Sequence, residues 1–131
     1  MLSFMAKEKY SIEYSFKSSP KILYNRISTP SGLSEWFADD VNFRGDIFTF
    51  FWEQSEQTAK LLGKKDQKYI RFHWLDDDDD NSYFEFKINI NELTGDTALI
   101  ITDFAEDEDE KEDAIELWDQ QIQDLKQVIG N

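Results

Sequence analysis

Five consecutive aspartates, Asp76 to Asp80, are the stretch best placed to do chemistry, and their spacing can be tested against a calcium-binding loop. With the loop begun at Asp76, Asp78 and Asp80 fall on the third and fifth positions. Asn81 then stands where the sharp turn needs glycine, and Lys87 where the bidentate glutamate belongs. A start at Asp77 or Asp78 puts Ile88 or Asn89 at that last position. The run therefore reads as a solvated hairpin turn. A second acidic run, Glu106 to Asp113, reads as a loop leading into a helix N-terminus, where the helix dipole favours acids by roughly 0.3 to 1 kcal/mol each. Its sharper reading is an electrostatic dock for a basic protein surface.

His73 is the sole histidine, and no cysteine is present, so a histidine metal cluster, a thiolate nucleophile and a disulfide are all excluded. In YIRFHW, His73 alternates with the apolar positions, and it faces solvent or the sheet's other side if Ile70, Phe72 and Trp74 face the core. No catalytic residue, metal ligand or cofactor is expected. Asp103 shares the parity of Leu99 and Ile101, and an inward carboxylate would need a partner or an altered pKa. Ala98, Ile100 and Phe104 on the opposite parity are apolar as well, so a strand-end aspartate in water is the expectation. Besides it, only Tyr10, Tyr14 and Tyr83 offer polar groups for acid–base chemistry in a cavity.

These residues must be held by a chain of 131 residues, enough for one domain with a real core. A hydrophobic content of 40%, with 15% aromatic, predicts folding despite a net charge of -14. The excess acidity is concentrated in the two runs, and the remaining surface is nearly balanced. Nucleic acid and anionic membrane surfaces are poor partners for such a charge. No stretch approaches the roughly 18 apolar residues of a membrane span, and no secretory apolar segment precedes Lys7. A cytoplasmic location is expected, with residues 1–5 as a tail.

Stepping along the chain, Tyr10, Ile12, Tyr14 and Phe16 alternate with polar residues, the period of a half-buried strand. Ser18 or Ser19 then caps a helix with Pro20 in its first turn and Ile22, Leu23, Arg26 and Ile27 at helical spacing. Pro30 ends that helix, and Thr29 caps a second short one whose apolar side is Leu33, Trp36 and Phe37. The Trp36–Phe37 pair reads first as a plug for one end of a curved sheet and second as the mouth of a cavity. From Val41 the chain reads as an antiparallel meander with turns at Arg44–Asp46, at Gly63–Asp66 and at Leu93–Asp96. Residues 108–129 close it as a helix with a stripe of Ala114, Trp118, Ile122, Leu125 and Ile129, widened by Leu117 and Val128 and ended by Gly130. Such a stripe must be buried on the sheet, which defines an α+β layer packing.

In this order SPKILYNRIS, TPSGLSEWFADDV, FRGDIFTFFW, YIRFHW, GDTALIITD and WDQQIQDLKQVI resemble the START-like (SRPBCC) superfamily, especially its branch of heat-shock-protein-ATPase activator homologues. The resemblance spans nearly the whole chain. It implies an α+β helix-grip fold: a curved antiparallel seven-stranded sheet wrapped around a long C-terminal helix, with two short helices after strand 1. It further implies that Phe48, Phe50, Trp52, Ile70, Phe72 and Trp74 point toward the long helix, where Trp118 and Ile122 lie opposite. Members carry a cavity there for an apolar ligand. Trp36 and Phe37 at its mouth, with Phe86 and Ile101 on the later strands, complete the candidate ligand-binding set. The chain departs from many relatives in having Asp46 for a second glycine and Asp103 near a histidine position.

Three functions are therefore weighed: non-catalytic binding of a small apolar molecule between sheet and helix, a co-chaperone-like interaction module using the acidic surface, and a cyclase- or dehydratase-like enzyme. Side chains filling the space between sheet and helix would count against the first.

Overall fold

The computed structural model describes residues 7–130, and the tail read at residues 1–5 lies outside them. The elements run β1 (Glu8–Phe16), α1 (Pro20–Ser28), α2 (Pro30–Leu33), β2 (Asp40–Arg44), β3 (Ile47–Trp52), β4 (Ser55–Lys65), β5 (Tyr69–Trp74), β6 (Phe84–Ile90), β7 (Thr97–Ala105) and α3 (Glu108–Ile129). The seven strands form one antiparallel sheet in the order β1-β7-β6-β5-β4-β3-β2. From β2 to β7 it is the meander that the turn spacing predicts. The two short helices carry the chain from β1 to the far edge, and the meander returns to pair β7 with β1.

The proline-started pair is built by shared caps. Ser19 accepts from the Ile22 amide at 3.2 Å and starts α1 with Pro20. Thr29, in extended conformation, accepts from the Gly32 amide at 2.9 Å and donates to the Asn25 carbonyl at 2.8 Å, so one hydroxyl closes α1 and opens α2. A Cβ on Gly32 would sit 2.3 Å from the Asn25 carbonyl oxygen, and only glycine lets α2 lie this close across α1. The apolar side of α1 is Leu23, Tyr24 and Ile27, and Ile22 is 51% exposed, turned away from that side. Helix α2 ends at Leu33, so Trp36 and Phe37 sit in the turns that follow it instead of on a helical face.

Two other expectations are corrected. Gly63 lies inside β4 at a register shift between Leu61 and Gly63; it marks a bulge, and the turn comes later, at Asp66 to Lys68, with Gln67 at φ 60. On α3, Leu117 is 60% exposed and Val128 also faces outward; the buried stripe is Trp118, Ile122 and Leu125, with Ala114 and Ile129 partly buried against the core as the spacing predicts. Helix α3 rests over β7, β1 and α1. Its ends follow the sequence reading: Asp107 caps by accepting from the Glu110 amide at 2.8 Å, and Gly130 closes it at φ 76.

The sheet's inner face is aromatic and its outer face polar. Ile12, Ile101, Phe86 and Ile70 line up across β1, β7, β6 and β5 on the inside. On the outside the matching row holds a Ser11–Thr102 hydroxyl contact at 2.9 Å and an Arg71–Glu85 ion pair, whose guanidinium covers the Tyr83 ring at 4.0 Å. His73 belongs to this outer side, with Nδ1 2.8 Å from the Ser82 carbonyl.

Candidate functional site

Phe37 is the centre from which the site is built. It follows α2 in a turn, its amide donating to the Leu33 carbonyl at 2.9 Å, and its ring enters the space between sheet and helix. There it meets Phe50 edge-on at 5.1 Å and stacks on Trp118 at 5.9 Å, with Phe84 and Phe86 also within 6.0 Å. Its carbonyl accepts from Trp52 Nε1 at 3.0 Å and from Gln121 Nε2 at 3.1 Å, tying the turn to β3 and to α3. Trp36 beside it is anchored by an Nε1 bond to the Arg26 carbonyl at 2.8 Å. Aromatic rings at these separations add packing energy of about 0.5–1.5 kcal/mol per pair beyond their buried area.

Deep under this turn the interior is filled. Phe48, Phe50, Phe72, Phe86, Ile101 and Ile122, all expected to contact a ligand, are 0–5% exposed and packed against one another. A space stays open beside α3, next to the C-terminal ends of β3 and β5. A cleft of about 720 Å³ is walled there by Phe37, Trp52, Trp74 and Trp118, with Trp36 at its edge. All four tryptophans of the chain thus line it, whereas the six residues just named lie beneath it as core.

Asp103 reaches the floor of this cleft, which overturns its reading as an aspartate in water. Its side chain accepts from Trp118 Nε1 at 3.2 Å, from the Tyr10 hydroxyl at 3.3 Å and from the Phe104 amide at 2.8 Å. Burial raises its carboxyl above the usual carboxylate range, and those three donors offset only part of the effect. Burial, and then the charge of Asp103, raise the Tyr10 phenol in turn. The sequence held the signal for this: β1 pairs antiparallel with β7 so that inward Tyr10 stands opposite Asp103, in line with Ile12 opposite Ile101. The remaining lining was not foreseen, notably Gln121, Asp124 and exposed Leu117 from α3, and Ala38 and Asp39 after the turn. Ala38 and Asp39 have no periodicity to reveal them. Tyr14 and Tyr83 lie elsewhere: the Tyr14 hydroxyl donates to Asp119 at 2.7 Å, and Tyr83 sits against Phe104 and Arg71.

The acidic runs meet at Lys7. Its Nζ is 3.0 Å from Asp77 Oδ2 and its amide donates to Asp79 Oδ2 at 3.3 Å. Burial opposes the charge on Lys7, but Asp77, Glu110 and Glu106 together raise its pKa. Asp77 itself, despite burial, is held below the usual carboxylate range by donors from Ser82, the Asp79 amide and Lys7. Much of the aspartate run is thus an internally bonded turn, and no group of His, Cys, Asp and Glu among the described residues could hold a metal ion.

A family model described as a START-like superfamily domain matches residues 4–131. No curated protein sequence matches the chain significantly. Among solved structures, one of a Bacteroides fragilis protein is 44% identical, covers 95% of this chain and 93% of its own, and superposes with a TM-score of 0.66. The Aha1 dimer from Colwellia psychrerythraea is similar in fold at 17% identity, with 91% and 93% coverage and a TM-score of 0.77. CalU16 from Micromonospora echinospora matches at 13% identity, with 94% and 74% coverage and a TM-score of 0.73.

Proposed function

The chain belongs to the START-like superfamily, and from that premise we propose that it binds a small apolar molecule, without transforming it, in the cleft beside α3. The observation that carries this reading is the cleft of about 720 Å³ whose walls are Phe37, Trp52, Trp74 and Trp118. A space of this size suits a drug-sized molecule, and large flat apolar walls with a few polar groups are what such sites use. The polar groups are Asp103 at the floor and Gln121 at the side. The filled interior counts against a ligand held between sheet and helix and moves the reading to this outer cleft.

Native mass spectrometry of the freshly purified chain tests the reading. A retained small molecule is expected, and Trp52→Ala should release it; a wild-type chain that carries and accepts no ligand would refute the proposal. A second reading, an interaction module that grips a basic protein surface, is supported by the convergence of both acidic runs around Lys7. It predicts partner capture that is lost when Glu106 to Asp113 are neutralised.

A further inference from the structure

We infer that the ligand of the aromatic cleft is an organic cation: an apolar body carrying an amine or quaternary ammonium head. The inference rests on the binding reading above and adds the sign of the ligand's charge.

Charge complementarity carries it. Asp103 lies at the floor, exposed Asp39 and Asp124 stand on the rim, and among the described residues no lysine or arginine lines the cleft. Glu35, a fourth acid there, is already paired with Arg26. Other depressions on the surface differ: one mixes Lys21 and Arg26 with Asp66, and another mixes Arg71 and Lys87 with Glu85. The aromatic cleft alone among these three is single-signed. A one-signed, low-dielectric cleft on a chain of net charge -14 concentrates cations and repels anions.

The walls point the same way. Indole faces are the best partners for a cation among the aromatic side chains, and all four indoles of the chain border this space. The carboxylate at the floor is held by neutral donors only, from Tyr10, Trp118 and the Phe104 amide. None of the ion pairs among the described residues includes Asp103, and Lys7, whose charge reaches it, is already bonded to Asp77. An ammonium head would supply the counter-charge that this partly buried carboxylate lacks, while its apolar body covers Trp52 and Trp74.

Benzyltrimethylammonium, its uncharged isostere neopentylbenzene and the anion phenylmethanesulfonate, titrated into the full chain with tryptophan fluorescence as the readout, test the inference. The cation should bind at least about tenfold more tightly than the isostere, the size expected of desolvated cation–π and charge contacts. Asp103→Asn should remove most of that preference, and added salt should weaken only the cation. Should Asp103→Asn fail to fold, Asp39→Asn combined with Asp124→Asn on the exposed rim should still lower the cation's affinity about threefold and flatten its salt dependence. Equal binding of cation and isostere, both abolished by Trp52→Ala, would overturn the cation assignment and leave the cleft as a neutral-ligand site. A preference for the anion would overturn it as well. Failure of all three probes would remove the cleft reading along with it.

Discussion

The two halves of the sheet's inner face are covered differently. Over β7 and β1, α3 lays Trp118, Ile122 and Leu125 directly on the strands, and Leu99 and Ile101 beneath, with Phe86 of neighbouring β6, are fully buried. Over the ends of β3 and β5, the cover is the irregular turn around Trp36 and Phe37, and Trp52 and Trp74 remain half-buried. A helix is straight and covers a limited width, whereas the sheet is broader than one helix. Phe48, Phe50 and Phe72 on β3 and β5 are as deeply buried as Leu99 and Ile101, so apolar surface is left for a ligand only toward the ends of those two strands, at Trp52 and Trp74.

Substitutions that reach both halves should cost the most. Phe37→Ala and Trp118→Ala each remove a large buried ring from the junction, and urea unfolding should register a loss of about 3–5 kcal/mol for either. A loss within about 0.5 kcal/mol would erase the distinction between junction and surface. Trp52→Ala and Trp74→Ala act on the open half only, where about 1–2 kcal/mol is expected, because both rings are only partly buried. If either tryptophan proved as costly as Trp118, the open half would be part of the closed core.

The smallest effect sharpens the comparison at the seam, where Asp103 sits. Its native pKa is raised, so between the ordinary carboxylate value and the raised one the folded chain binds more protons than the unfolded chain. That contribution to stability is fully present below the unfolded pKa and is lost as pH rises through the native value. Wild type should therefore gain on Asp103→Asn as pH falls across this window, measured as the difference between their urea midpoints. Asp77, whose lowered pKa costs stability on acidification, is common to both chains and cancels in the difference. A difference that stays flat or reverses would mean Asp103 is solvated like a rim aspartate.

Periodic features were legible before the fold was known. The alternation of Tyr10, Ile12, Tyr14 and Phe16, the caps at Ser19 and Thr29, and the stripe through Trp118, Ile122 and Leu125 all stand where local pattern put them. The misreadings were at places with no period. A single glycine marks a turn or a bulge equally well, and Gly63 proved to be the bulge. Trp36 and Phe37 have the composition of a helix face, but the helix stops at Leu33.

By itself the sequence determined which elements form, which face of each is apolar, and that acidic charge clusters in two runs, because caps, periodicity and composition act within a few residues of each other. Tertiary structure alone decided that α3 lies over β7 and β1 and leaves the ends of β3 and β5 to the turn around Trp36 and Phe37. It also decided that Asp103 meets Tyr10 and Trp118, and that both acidic runs face Lys7. Those are contacts between residues dozens of positions apart, and their geometry depends on how far one layer reaches across another, which no local pattern encodes.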